Sequence, residues 1–172
     1  MHPYDAILDF APCRIGARFT GEALTGLSYL PLDTPLTRSP DQRAKHLANE
    51  LAHYMQQPDH VFDLLFVPSG TPFQLRVWRA LLAIPAGQVL SYGELATQLK
   101  TAPRAVGQAC GSNPLPLVIP CHRVVSATGL GGFMHAASGA PLDIKAWLLR
   151  HESGNPKSQA LPLLQFPYAP PG

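Results

Sequence analysis

The sequence predicts an α/β N-terminal domain joined to a mainly α C-terminal domain that carries a winged-helix-like helix-turn-helix. Three observations lead there. Short β-rich runs broken by Pro and Gly occupy residues 4–37, as strands of a small sheet do. Three segments of the form Ser/Thr-x-x-Gln/Glu, starting at Ser39, Thr71 and Ser91, precede apolar stripes of helical period, and such pairs satisfy the free amides of a helix start. The last of these opens a short helix that a second one follows after a few residues, the spacing of a helix-turn-helix. The divisions fall at 1–70, 71–154 and a proline-rich tail, 155–172.

Ala6–Phe10, Arg14–Phe19 and Leu27–Leu32 read as strands, with breaks at Pro12, Gly21-Glu22 and Thr25-Gly26. Ser39 as N-cap and Pro40 in the first helical position then open a helix. Its apolar face is Ala44, Leu47, Ala48, Leu51, Tyr54 and Met55, and Pro58 ends it. Val61–Val67 is rich in β-formers and alternates poorly, which reads as a strand buried on both faces.

Thr71 and Gln74 cap a helix with a stripe of Phe73, Val77, Trp78, Leu81 and Leu82, stopped by Pro85 and Gly87. Ser91 and Glu94 cap the next, through Leu99. A turn at Lys100-Thr101 leads to a helix over Pro103–Ser112. That helix carries Ala102, Ala105 and Ala109 on one face, Gly107 and Gly111 on another, and Arg104 near its start. Each glycine costs about 1 kcal/mol relative to Ala, so either neighbours pack closely there or something large lies against the helix. Leu115–Pro120 reads as a buried strand, Gly129–Ala140 as a loop, and Pro141 and Asp143 open a last helix. Ile144, Trp147 and Leu148 share a face of it, and Gly154 caps it.

Charged residues make up 14% of the 172 residues and apolar ones 46%, which excludes a chiefly disordered chain. No apolar run approaches the ~20 residues that span a bilayer, and the N-terminus lacks the basic and apolar regions of a secretory signal. Three cysteines (Cys13, Cys110, Cys121) without such a signal point to a reducing interior. The expectation is a soluble, cytoplasmic protein with no membrane association. Net charge is +2, yet residues 1–70 balance at −3 and residues 71–152 at +4, so the second part suits a polyanion such as DNA.

Two constellations carry chemistry. Cys121, His122 and Arg123 follow Pro120 at a strand-to-loop junction, where cationic neighbours would favour a nucleophilic thiolate. Successive side chains of an extended segment point apart, so His122 would act on Cys121 through one water or a local turn. Glu152 on the last helix is the candidate that orients the imidazole. Separately, His46, His53 and His60 recur every seven residues. The first two share a helix face but lie two turns apart, roughly 10 Å, too far for one ion. Solvated or satisfied histidines are the reading, and no metal is expected.

Pro120-Cys121-His122-Arg123-Val124, with Arg104-Ala105-Val106-Gly107 and Gly111-Ser112-Asn113-Pro114 before it, resembles the O6-alkylguanine-DNA alkyltransferase family. So do Gly70-Thr71-Pro72-Phe73-Gln74, Val77-Trp78, Ile84-Pro85-Ala86-Gly87, Ser91-Tyr92-Gly93-Glu94-Leu95-Ala96 and Lys145–Glu152. The match runs over residues 64–152, with the motifs in the family's order, and is only loose over 1–63. The resemblance implies a suicide repair enzyme that moves an alkyl group from guanine O6, and from thymine O4, to Cys121. His122, through water, and Glu152 would hold the thiol near its thiolate, Tyr92 would hydrogen-bond guanine N3, and Asn113 would brace the cysteine segment. Arg104, Ala105, Gly107, Ser91 and Arg123 would contact double-stranded DNA carrying O6-alkylguanine, through its minor groove, with Arg104 filling the space of the flipped base. Val124, Phe133 and Met134 would line the pocket. The resemblance implies no cofactor, and a monomer in solution. Some relatives bind zinc through several N-terminal cysteines; only Cys13 is present here.

Where bacterial relatives read Gly-Tyr-Ala-Gly-Gly-Leu, this chain has Gly132-Phe133 and a run Met134–Leu142 several residues longer. That loop would wall the alkyl pocket. Three other readings compete: a protein that binds alkylated bases and flags them without repair, a winged-helix regulator, and a cysteine hydrolase. The first lacks the cysteine in such relatives, the second needs a longer polar helix, and the third would turn over esters or amides.

Overall fold

The computed structural model describes residues 3–135 and 139–153. The expectations for residues 136–138, Gly154 and the tail 155–172 lie outside them.

The strands β1 (Ala6–Phe10), β2 (Cys13–Thr20) and β3 (Ala23–Leu30) form an antiparallel meander in that order. Gly21, at φ +58°, makes the β2–β3 turn, a left-handed position that glycine adopts without steric cost. The break expected at Thr25-Gly26 is absent, because both residues lie inside β3. Gly26 pairs with Arg18, whose aliphatic stem lies over the space a side chain would fill. The pairing is nonetheless irregular at this point: Arg18 pairs with Gly26 and Phe19 with Leu24, so Thr25 is an extra residue that bulges from β3.

Helix α1 (Gln42–Gln56) is capped by Asp41, not Ser39. The Ala44 amide donates to Asp41 Oδ1 at 3.0 Å, and a carboxylate suits the positive end of the helix dipole. Ala44, Leu47, Leu51 and Tyr54 are buried as expected. Val61–Val67 is not a strand buried on both faces. Val61, Leu65 and Val67 are 85%, 64% and 53% exposed, while Phe62, Leu64 and Phe66 pack on the core. Only Phe66 bridges the sheet, opposite Leu24.

The remaining elements are helices linked by short crossings. Helix α2 (Pro72–Leu82) has the full Thr71–Gln74 capping box; its Leu82, expected on the buried stripe, is 46% exposed. Two-residue strand β4 (Leu90–Ser91) leads into α3 (Tyr92–Leu99), capped by Ser91 and Glu94. Lys100, at φ +54°, turns the chain toward α4 (Pro103–Gly111). Trp78 pins α2 to α4 by donating its Nε1 proton to the Ala109 carbonyl at 2.8 Å. The chain ends its described course in α5 (Ala140–Ser153).

The expected strand Leu115–Pro120 is a tight buried turn. Ile119 N–H donates to Leu115 O at 2.8 Å, and Leu117 sits at φ +76°. Pro114, Pro116 and Pro120 remove the donors a ladder would need. Cys121–Arg123 then form one 3₁₀ turn before β5 (Val124–Val125), which pairs in parallel with β4. One apolar core runs from Ile15 and Leu47 through Leu81 and Leu95 to Leu148.

Candidate active site

The β4–β5 pairing brings the site together. It sets Ser91, and so the start of α3 with Tyr92, beside the strand that leaves the Cys121 turn. Asn113 holds that turn from within: Nδ2 donates to Ile119 O at 2.8 Å, and Oδ1 accepts the Leu115 amide at 2.9 Å. Cys121 is buried at the floor of a cleft of ≈ 480 Å³, walled by Tyr92, Arg104, Gly107, Phe133 and Met134. Burial pushes its thiol above the ordinary range, and the Asn113 amide and the Lys145 ammonium pull only partly the other way. The resting sulfur is a neutral thiol, not the thiolate that cationic neighbours suggested.

Behind the cysteine lies a closed ionic network. Glu152, fully buried, accepts from His122 Nε2 at 2.7 Å, from Arg123 Nε and Nη2 at 3.0 and 2.9 Å, and from the Tyr54 hydroxyl at 2.9 Å. Burial would raise the Glu152 carboxyl; the charges and hydrogen bonds of His122 and Arg123 outweigh it and hold it far below the carboxylate range. An ionised Glu152 makes Nε2 the donor, so His122 Nδ1 carries the free lone pair. That atom is buried and has no hydrogen-bond partner among the described residues. Burial lowers His122 below its ordinary value against the pull of Glu152, so the ring is a neutral base at pH 7.

Arg123 corrects an expectation. It was grouped with the DNA contacts, but its guanidinium points inward, bound twice to Glu152 and once to Ile84 O at 2.5 Å. The cation is the counter-charge that a buried carboxylate requires. Ser91 Oγ accepts the Glu94 amide at 3.0 Å as the cap of α3. Arg104 is exposed on the cleft rim. Gly107 faces the cleft, where a β-carbon would meet the Tyr92 ring at an ordinary 3.9 Å, whereas at Gly111 it would strike the His135 ring at 2.4 Å. The small residues of α4 therefore serve two ends: one keeps the cleft open and the other admits the lengthened loop.

A family model described as 6-O-methylguanine DNA methyltransferase, DNA binding domain, matches residues 72–154. The methylated-DNA–protein-cysteine methyltransferase of Salmonella typhimurium is 49% identical over 109 residues, 62% of this chain and 61% of that protein. The chain thus spans less than two thirds of that relative's length. The Methanosarcina mazei protein of the same name is 43% identical over 116 residues, 66% of this chain and 70% of its own. A crystal structure of the Mycobacterium tuberculosis enzyme in complex with DNA superimposes at a TM-score of 0.70 with 34% identity, covering 92% of this chain and 97% of that one. The chain belongs to the methylated-DNA–protein-cysteine methyltransferase family.

Sequence reasoning missed three contributors around the cysteine of this family member. Lys145 is fully buried and donates to the carbonyls of Val124, Leu130 and Gly132 at 2.7–2.8 Å; burial lowers it to about 8. In sequence, only its apolar neighbours Ile144, Ala146 and Trp147 hinted at this. Tyr54 reaches Glu152 from α1, 98 residues away in sequence, and looked like one more core position on its helix. The hydroxyl of Tyr29 on β3 is buried without a hydrogen-bond partner among the described residues, in electrostatic reach of Cys121 and Glu152. Away from the cleft, His53 and His60 meet at Glu50, while His46 pairs with Asp63 O at 2.7 Å. His60 lies beyond the helix end, so helix geometry alone could not place it.

Proposed function

We propose that the chain repairs DNA by moving the alkyl group of O6-alkylguanine, and of O4-alkylthymine, to Cys121, once per molecule. The observation that carries this reading is the buried Cys121 thiol at the floor of an open cleft, backed by a neutral imidazole whose free nitrogen lacks a partner among the described residues. The proton on sulfur passes through one water to His122 Nδ1, and Glu152 stabilises the imidazolium so formed. Sulfur attacks the alkyl carbon, the carbon–O6 bond breaks, and its electron pair stays on the base. Tyr92, kept as a neutral phenol because burial raises it far above its ordinary value, exchanges its bond to Gly132 O (3.2 Å) for one to guanine N3 and stabilises the departing base. The Val124 carbonyl, which already accepts from Lys145, has a second lone pair for the guanine amino group. The thioether is stable, so the protein is consumed.

Reaching a base in this cleft requires extrusion from the stack. In this reading residues 71–154 form the DNA-binding unit, α3 and α4 are the helix-turn-helix of a winged-helix-like fold, and α4 lies in the minor groove. Ala105 and Gly107 admit the backbone, and Arg104 fills the vacated space. Phe133 and Met134 bound the alkyl group. A protein that only flags lesions is the second reading, and the intact Cys121 disfavours it.

Incubation with duplex DNA carrying O6-methylguanine tests the proposal by intact mass. One methyl-sized gain per chain, mapped to Cys121 and abolished in Cys121→Ala, is expected. An unmodified chain that still binds the lesion would transfer the case to the second reading.

A further inference from the structure

We infer that Glu50, His53 and His60 form a binding site for one divalent transition cation of the zinc type, outside the cleft that holds Cys121. Glu50 and His53 stand three residues apart on α1, so their side chains rise from adjacent turns on one face. The chain leaves α1 at Gln57, turns through the Gln57 carbonyl and His60 amide bond of 2.9 Å, and brings the His60 ring back over the helix. His60 Nε2 then lies 2.8 Å from Glu50 Oε2, and His53 Nδ1 lies 3.7 Å from Glu50 Oε1. One ligand atom from each of the three fits within 4.8 Å of the others. Zinc bonds of ~2.0–2.2 Å to nitrogen and oxygen in a tetrahedron place ligand atoms roughly 3.3–3.6 Å apart. The two rings approach opposite oxygens of the one carboxylate, His60 at Oε2 and His53 at Oε1, so an ion between them takes Glu50 through both oxygens or after a small rotation of the carboxylate.

The surroundings support an ion over a plain ion pair. Glu50 is 5% exposed, and its Oε2 is fixed by the Asp63 amide, so an outer partner already orients the carboxylate. The second oxygen, Oε1, faces the His53 side chain, which is 59% exposed. That ring gives the ion a path from solvent and leaves room for water as a fourth ligand. The His53 and His60 rings stand 5.2 Å apart at 60°, convergent and not stacked. Coordination needs the lone pair of His60 Nε2, so the ring proton moves to Nδ1, or to solvent where both nitrogens carry one. No cysteine takes part, which sets this site apart from a thiolate centre. The ion would clip residues 57–63 to α1, and the Phe62 ring beyond it stacks on Tyr54, the residue that reaches Glu152.

The full-length protein, stripped with chelator, is titrated with zinc chloride by calorimetry and with cobalt(II) by absorption. One equivalent should bind, with cobalt d–d bands of tetrahedral intensity and no sulfur-to-metal charge-transfer band. His53→Ala removes an exposed ligand, so the fold persists; its affinity should fall by at least about 10–100-fold, the loss that even outer-shell changes produce. His60→Gln should do the same. No binding by the parent protein, unchanged affinity in His53→Ala, or a sulfur charge-transfer band would each overturn the site.

Discussion

At the scale of single residues, the burial that makes Cys121 specific also makes it a weak nucleophile until a base acts. A neutral thiol enclosed by protein does not react with passing electrophiles, and its activation depends on the state of one imidazole. His122 must be neutral to accept the proton, and burial lowers its ionisation below the ordinary 6.5. The midpoint of ring protonation therefore lies below 6.5. The rate of transfer from free O6-benzylguanine should fall toward acid along a limb centred below pH 6.5. Single-turnover rates across a buffer series check this, and an acid limb centred at or above 6.5 would remove His122 from the role of base.

At the scale of elements, what could be read depended on whether the signal was local. The capping boxes at Thr71 and Ser91 were legible because all their atoms lie within four residues. Ser39 failed because Asp41 offers a charged acceptor two residues later. The apolar run Leu115–Ile119 is buried as expected, yet its prolines forbid a strand, and a turn braced by Asn113 delivers the cysteine instead. Cys121, Tyr92 and Glu152 were recognisable as motif residues, while Tyr54 and Tyr29 arrive through tertiary contacts that no periodicity encodes. The α3–α4 pair presents Arg104 on the cleft rim, with its side chain exposed and the helix start behind it. A side chain that stabilises an extruded nucleotide matters only when there is a duplex to extrude from. Arg104→Ala should slow transfer from duplex DNA by about 10-fold or more, the effect of losing ~1.4 kcal/mol in the transition state. It should leave transfer from free O6-benzylguanine within about twofold, and equal losses on both substrates would contradict the role.

At the scale of the whole molecule, Glu152 joins parts distant in sequence: α1 through Tyr54, the cysteine turn through His122 and Arg123, and α5 on which it sits. Helix α1 thus touches the ionic network behind Cys121 through a hydroxyl, though residues 3–70 lend the cleft no wall among the described residues. Removing one member of such a buried set leaves the others uncompensated. Glu152→Gln should lower unfolding stability by about 3–5 kcal/mol at pH 7, because the Arg123 cation, only 12% exposed, loses its counter-charge. The sign with pH follows from the depressed ionisation of Glu152. Its stabilisation is complete above the unfolded carboxyl value near 4.5 and drains away as the pH falls toward the much lower folded value. The gap in urea midpoint between the parent and Glu152→Gln should therefore be widest at pH 6–7 and narrow progressively below 4.5. A gap that stays constant down to pH 3 would mean that the carboxylate's shape, and not its charge, holds the three parts together.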